Sequence, residues 1–292
     1  MTYILYNPKS NNGNGADGLD KVTAAVKAQG QQPQPMDITA MDTATFLSGL
    51  TEPDQAIVCG GDGTLHHLVN DLSGVEVKVP LYVWRTGTGN DFLRDVGVTK
   101  PGQMVRLNQY IENLPWAEID GKRIRFLNNV CFGIDGQVCE LGEQEKERLG
   151  RKVNFAALAV RLALRDYQLT GATVTVDGVT KKYDKVWLAS ALNGRYVGGG
   201  MKLAPDQDRN SDKLCCVILR GTGRLYLLSR LASVYWGGHK RIPCCEMIYG
   251  NDSEVTFDRP TALNLDGEVV PRVTGYRAVK HAMTTEKTAS PV

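Results

Sequence analysis

Over the first hundred residues, short apolar runs alternate with longer stretches in which apolar positions recur at helical spacing. Thr2–Tyr6, Pro33–Ile38, Gln55–Cys59 and the run beginning at Leu81 read as strands. Between them, helices are expected from about Ala16, over about Asp42–Leu50 and over Leu65–Leu72. Strands that alternate with helices in this way form a mostly parallel sheet. A further helix is expected between Pro101 and Pro115, and then the pattern changes. Ala117–Asp120, Arg123–Val130, Ala172–Val176, Lys185–Leu192, Leu214–Leu219, Glu246–Tyr249, Glu254–Phe257 and Thr261–Leu265 are short and strand-like, with Asp120-Gly121 and Asp177-Gly178 as hairpin turns. That spacing predicts an antiparallel sandwich or barrel. A boundary near Pro115 therefore separates a domain over 1–115 from a second over 116–275. The tail from Tyr276 is expected to return to the first domain as a final strand, before a disordered end over Thr284–Val292.

Two helices are expected to interrupt the second domain. Arg151–Tyr167 is apolar along Phe155, Leu158, Ala159, Leu162 and Leu164. Gly223–Trp236 carries Leu225, Tyr226, Leu228, Leu231, Val234, Tyr235 and Trp236. Arg148, Arg151, Lys152, Arg161 and Arg165 surround the first, and Arg224, Arg230, His239, Lys240 and Arg241 lie near the second. Such helices suit either packing on a sheet with solvated arginines or docking on an anionic membrane.

Composition narrows the picture. The chain has 292 residues, 42% of them hydrophobic and 23% charged, enough for two domains with real cores. A formal net charge of +2 argues against a nucleic-acid binder by bulk charge. No run approaches a membrane span, and Tyr3–Tyr6 is too short for a signal peptide, so a cytoplasmic protein is expected. The seven cysteines include the pairs Cys215-Cys216 and Cys244-Cys245 but no Cys-x-x-Cys spacing, so they read as buried thiols rather than zinc ligands.

Chemistry concentrates between Val58 and Asp91. Val58-Cys59-Gly60-Gly61-Asp62-Gly63-Thr64-Leu65 and Val83-Trp84-Arg85-Thr86-Gly87-Thr88-Gly89-Asn90-Asp91-Phe92 each run from a strand through glycines into a helix start. Backbone N–H groups at such turns favour phosphate. A carboxylate in each turn would repel a polyphosphate unless a divalent cation lay between them, which is the arrangement of a kinase using magnesium. The competing reading is a pair of plain tight turns, since Asp-Gly is a common turn former. Asn7-Pro8-Lys9-Ser10-Asn11-Asn12-Gly13-Asn14-Gly15, after the first strand, is a weaker candidate for the same job, because it lacks the Gly-Lys-Ser/Thr ending of a P-loop.

Gly60-Gly61-Asp62-Gly63-Thr64 with Asn70 beyond it, followed by Gly87-Thr88-Gly89-Asn90-Asp91-Phe92, resembles the bacterial diacylglycerol kinase family, relatives of sphingosine and ceramide kinases. Asn193-Gly194-Arg195-Tyr196-Val197-Gly198-Gly199-Gly200-Met201-Lys202-Leu203-Ala204-Pro205 resembles that family's glycine-rich segment, and Leu263-Asn264-Leu265-Asp266-Gly267-Glu268 resembles its terminal motif. The resemblance implies an α/β fold class: an N-terminal, mostly parallel αβ nucleotide-binding domain plus a C-terminal antiparallel β-sandwich domain, with the active site in the cleft between them. It implies ATP and Mg2+ as cofactors and transfer of the γ-phosphate to a lipid hydroxyl. Expected nucleotide contacts are Asn7, Pro8, Lys9, Ser10, Asn11, Thr39, Gly60, Gly61, Asp62, Gly63, Thr64, Leu65, His66, Thr88, Asn90 and Asp91. Asp62 and Asp91 are the expected magnesium ligands, with Asp62 also counted as catalytic, and Asp266 or Glu268 is the general base. A structural magnesium is implied at Asp212 with the backbone carbonyls of Arg209 and Leu214.

Two positions depart from the family's pattern. His66-His67 stands where Asn-Glu is usual, which removes a carboxylate at His67, and both side chains are expected to be partly exposed. Lys213 replaces a glycine at the structural-metal motif. The partners implied are a lipid substrate at a membrane surface, contacted peripherally from the inner face, and a second copy of the chain in a homodimer. NAD kinase shares Gly-Gly-Asp-Gly and the two-domain plan but lacks the Gly-Thr-x-Asn-Asp-Phe turn and the Asp-Gly-Glu base. A non-catalytic nucleotide or lipid sensor is the other alternative, supported by His66-His67 and Lys213.

Overall fold

The computed structural model describes residues 1–9, 18–86, 90–150 and 153–280. In the first domain, strands β1 (Thr2–Tyr6), β2 (Pro33–Asp37), β3 (Gln55–Gly60), β4 (Leu81–Arg85) and β5 (Met104–Arg106) form one sheet in the order β2-β1-β3-β4-β5, parallel except for β5. Helices α1 (Leu19–Ala28), α2 (Thr43–Ser48), α3 (Asp62–Asp71), α4 (Asp91–Asp95) and α5 (Asn108–Ile111) connect them. Strand alternation decides the layering. Ile4, Ile57 and Cys59 face α1 through Val22 and Val26. Leu5, Val58, Leu81 and Val83 face the other way, onto Leu47, Leu65, Leu68 and Phe92. The sheet is thus covered on both sides, as parallel sheets require.

Among the described residues, nine strands build the second domain: β6 (Trp116–Ile119), β7 (Lys122–Arg125), β8 (Asn129–Gly133), β9 (Thr170–Val176), β10 (Val179–Leu192), β11 (Leu214–Arg220), β12 (Cys245–Gly250), β13 (Asp252–Leu265) and β14 (Glu268–Val279). All pairs are antiparallel, along β12-β11-β10-β8-β13-β14-β6-β7 with β9 joining β10 to β13. The long strands β10 and β13 shift register midway, near Tyr183–Leu188 and Thr256–Leu263, so each serves two layers of a sandwich. Phe132, Phe257 and Tyr276 meet in its core.

Several expectations are corrected. The run expected over Arg123–Val130 is two strands, β7 and β8, separated by a bend that carries Phe126 and Leu127 into buried positions. A helix that the hydrophobic pattern does not announce, α6 (Ile134–Leu149), follows β8; its Gly136 lies so close to β13 that a Cβ would stand 2.1 Å from the Ala262 carbonyl. The described part of the tail, from Tyr276 to Lys280, does not return to the first sheet: residues up to Val279 pair with β13 and β6, with Val273, Tyr276 and Ala278 in the sandwich core, and the expected end over Thr284–Val292 lies outside the described residues. The expected helices over 151–167 and 223–236 are shorter, as α7 (Phe155–Arg161) with a π turn over Leu162–Asp166 and α8 (Arg224–Leu231) with a 3-10 turn over Ala232–Trp236.

Candidate active site

The parallel strands end at a common edge. Tyr6 pairs with both Asp37 and Cys59, and Gly60 pairs with Arg85. Asn7, Thr39, Gly61 and the segment after Arg85 therefore leave the sheet side by side, at the carboxyl ends where open α/β sheets bind ligands. The Asn7 side-chain oxygen accepts the Lys9 N–H at 2.9 Å, and Thr39 donates from both N–H and hydroxyl to Asp37 at 2.8 Å. Of the expected nucleotide contacts, Ser10, Asn11 and Thr88 lie outside the described residues, while Pro8 follows Asn7 at the end of β1. At Gly60 a side chain has no room: a Cβ would stand 2.4 Å from that of Thr64, which lets α3 turn directly out of β3. Leu65 is buried in the core and its N–H donates to the Gly61 carbonyl, so neither is turned to a ligand.

Asp62, the first residue of α3, reaches across to the second turn. Its Oδ2 accepts the Asp91 N–H at 2.8 Å and its Oδ1 the Phe92 N–H at 3.0 Å. These are amides at the start of α4, so the carboxylate of the first motif caps the helix of the second. Burial raises the Asp62 pKa, the two amides oppose that rise, and the charge of Asp266 adds to it. Asn90 and Asp91 are both buried. Asp91 Oδ2 accepts the Gly199 N–H at 2.8 Å, whereas its Oδ1 is buried with no hydrogen-bond partner. Burial, then the Asp62 charge, pushes Asp91 up to about 6 against the Gly199 amide and Arg94. Gly198, Gly199 and Gly200 all have positive φ, of 61°, 82° and 118°, a run that side-chain-bearing residues rarely follow. The glycine-rich segment can therefore lay its backbone against Asp91.

The second domain meets this edge through one face of α3. Asp62, His66 and Asn70 recur every four residues, on one side of the helix. Asn70 exchanges hydrogen bonds with the backbone of Arg125, and His66 Nδ1 lies 3.2 Å from Asp266 Oδ2. His66 is 5% exposed, so the expectation of two partly exposed histidines fails for it: docking of the second domain covers that side of α3. Asp266-Gly267 is the β13–β14 hairpin turn, both residues at positive φ. Asp266 accepts N–H groups from Leu127 at 2.5 Å, Asn128 at 2.8 Å and Asn129 at 3.0 Å, so both its oxygens are engaged. Glu268, two residues on, is 44% exposed at its side chain and lies 3.5 Å from His67 Nε2. His67 pulls the Glu268 pKa down, and Glu268 in turn pulls His67 up. A Cβ placed on Gly63 would come within 3.7 Å of Glu268 Oε1, so this carboxylate overhangs the Gly-Gly-Asp-Gly turn.

Of the residues that hold the seam, Asp95, Asn128 and Lys280 carried no motif signal, and Arg209 carried one only for its backbone carbonyl. Asp95 accepts Arg195 Nε at 2.7 Å and Arg209 Nε at 2.6 Å. Arg209 also donates to the Leu127 carbonyl at 3.1 Å and to Asn128 Oδ1 at 3.0 Å, tying both domains together. Gly194 leaves room for this, since a Cβ there would meet Arg209 Nη2 at 2.5 Å. Lys280, nearly fully buried, donates to the Arg209 carbonyl at 2.8 Å and to the Asn193 side chain. Burial and the Arg209 charge pull its pKa down to about 8, which leaves it an ammonium at neutral pH.

The fit of the two implied metal positions differs. A buried, partnerless oxygen on Asp91, with Asp62 raising its pKa, suits a cation. At the other position the Arg209 carbonyl already accepts an ammonium, Asp212 is exposed, and Leu214 opens β11 opposite Gly250. That set does not fit a structural metal. Among the described residues, no three His, Cys, Asp or Glu side chains gather as a ligand set.

The model of the diacylglycerol kinase catalytic domain matches residues 1–115, and that of the YegS C-terminal NAD kinase beta sandwich-like domain matches residues 128–283. The chain belongs to the bacterial diacylglycerol kinase and YegS-like lipid kinase family. This lipid kinase is 27% identical to the diacylglycerol kinase of Bacillus subtilis over 97% of its own length and 96% of that protein's. A Pseudomonas fluorescens protein named "Probable lipid kinase YegS-like" is also 27% identical, over 73% of this chain and 70% of its own. A crystal structure of a diacylglycerol kinase from Bacillus anthracis superposes with a TM-score of 0.67, at 20% identity, covering 96% of this chain and 94% of the other; it shares the fold.

Proposed function

We propose that this lipid kinase transfers the γ-phosphate of ATP to a hydroxyl of diacylglycerol or a related lipid, with Glu268 as the general base. The contrast between the two carboxylates of one hairpin carries the reading. Asp266 spends both oxygens on three backbone amides and His66, and so organises the segment 127–129 against α3. Glu268 is the carboxylate left open at the cleft, above the first glycine turn. A base must reach the proton it takes, and an acceptor hydroxyl at this position would meet Glu268 first. Asp91, through the Oδ1 that has no partner, would hold Mg2+ beside the Asp62 charge, and Mg2+ when bound neutralises phosphate charge. By gripping the amides of Asp91 and Phe92, Asp62 also fixes the second turn relative to the first, so that catalysis rests on positioning.

A lipid substrate has to be drawn from a bilayer. Leu225, Trp236 and Tyr235 are 77%, 67% and 55% exposed, with Arg230 and Arg241 exposed nearby in the chain and Lys240 paired to Asp206. An apolar surface rimmed by cations fits an anionic membrane. Among the described residues no helix is long and apolar enough to cross one. The exposed Phe155 lies on Gly142, next to Glu143, whose pKa is raised by burial and then by Glu268. Phe155 of α7 therefore packs on α6 one residue from the carboxylate that senses Glu268. Transfer of labelled γ-phosphate from ATP to a panel of hydroxylated lipids in mixed micelles, with NAD as a further acceptor, tests this reading. Labelling of a lipid supports it, and labelling of NAD alone rejects it.

A further inference from the structure

The structural magnesium implied by the sequence would bind the Arg209 carbonyl, the Leu214 carbonyl and Asp212. In the fold, the Arg209 carbonyl already accepts a hydrogen bond from Lys280 Nζ at 2.8 Å. Lys280 follows the end of β14, where its backbone N–H donates to the Asn251 carbonyl at 3.0 Å. The second acceptor of its ammonium is the Asn193 side chain, which donates through Nδ2 to the Leu127 carbonyl at 2.9 Å. Asp212, the one side chain the metal would need, is exposed, and Lys213 beside it is exposed as well. The Lys213 carbonyl is taken by Gln207 Nε2 at 2.8 Å. A divalent cation bound at the Arg209 carbonyl would sit against a buried ammonium on the same oxygen, with the Arg209 guanidinium and Lys213 close in sequence. Like charges in a weakly solvated site repel strongly.

We propose that Lys280 replaces the structural cation: its ammonium binds the carbonyl the metal would bind and clamps the 207–213 loop to the sandwich without a metal. The replacement also explains Lys213, since a loop that no longer wraps a cation does not need the glycine. Its reach extends to the seam. Through Arg209 it holds the residue whose guanidinium ties Asp95 to Asn128, and through Asn193 it holds Leu127, whose amide donates to Asp266. Lys280 is a positioning residue in this scheme and touches no substrate.

The test needs neither the lipid nor the nucleotide. Metal content by mass spectrometry and thermal melting with and without EDTA are measured on the full chain, its Asp212→Asn variant and its Lys280→Met variant. Lys280→Met keeps the apolar stem but leaves the Arg209 and Asn193 oxygens without a donor. The expected result is no tightly held divalent cation lost with Asp212, melting temperatures for wild type and Asp212→Asn that agree within about 2 °C, and a fall on the order of 5–10 °C for Lys280→Met. The Lys280→Arg variant, which keeps the cation, should recover part of that fall. A divalent cation bound by wild type, removed by EDTA with loss of stability, and absent from Asp212→Asn would overturn the proposal. Should Lys280→Met fail to fold, the metal content and melting of wild type and Asp212→Asn still decide between these outcomes.

Discussion

Replacing Asp266 and Glu268 one at a time separates a carboxylate that organises the cleft from one that works in it. In Asp266→Asn the remaining carbonyl oxygen can serve the Asn128 and Asn129 amides, now as a neutral acceptor. The new NH2 group then faces the Leu127 N–H, donor against donor. Hydrogen bonds to a charged group contribute about 1.5–3 kcal/mol each, and roughly half of that without the charge. One bond lost and two weakened sum to about 3–6 kcal/mol, brought to about 3–5 kcal/mol because the repulsion Asp266 exerts on Asp62 is relieved. At about 2–4 °C per kcal/mol for a chain of this size, the melting temperature falls by about 6–20 °C. Glu268→Gln touches only a half-exposed side chain, so its melting temperature should stay within about 2 °C while turnover falls by roughly 10²–10⁴. Differential scanning fluorimetry and phosphate transfer measured on the same preparations give both numbers. An Asp266→Asn protein that melts like wild type but is inactive, beside an active Glu268→Gln protein, would make Asp266 the base.

Asp91, raised from 3.8 to about 6 in the fold, favours folding most below about pH 4, and that contribution is lost as pH rises through about 6. The metal-free Asp91→Asn protein should therefore melt no lower than wild type at pH 7, and stabilisation of wild type by Mg2+, read by melting, should be greater at pH 7 than at pH 5 and absent from the variant. His67 holds the Glu268 pKa below its usual value, so His67→Ala should move the acidic limb of the kcat/KM profile to higher pH; an unmoved limb would separate His67 from the base. Leu225→Ser with Trp236→Ser should weaken sedimentation with anionic vesicles while turnover of a soluble short-chain lipid stays within about twofold; unchanged sedimentation would place the docking face elsewhere.

The first domain is the more legible half because strand, glycine turn and helix follow one another locally. Ile4 and Leu5, or Ile57 and Val58, alternate between two helical layers in a way that period-two reading anticipates. In the second domain, β13 reads as two strands because its register shifts near Thr256–Leu263, and α6 escapes notice because its sequence is mostly polar with few buried positions. Tyr276 misleads for another reason: an alternating strand can join either sheet, and only the depth of the sandwich core around Phe132 decides which. At the site, Asp62, Asp91, Asp266 and Glu268 stand out as motif residues, yet their division of labour does not. That Asp62 caps α4 and Asp266 collects three amides depends on partners up to 139 residues away. Asp95, Asn128 and Lys280 have no motif at all, and Arg209 is marked only through its backbone carbonyl, not through the guanidinium that ties the seam. They are recognisable only once folding buries them together.

Whether Glu268 takes the proton of a lipid hydroxyl is decided by a single-turnover transfer of labelled γ-phosphate from ATP to diacylglycerol in mixed micelles with Mg2+, comparing wild type with Glu268→Gln. A labelled lipid is expected with wild type, and a rate lower by roughly 10²–10⁴ in the variant at equal stability. Equal rates in the two proteins would remove Glu268 from the chemistry. Label on no lipid of a hydroxylated panel, with ATP bound, would contradict the transfer itself.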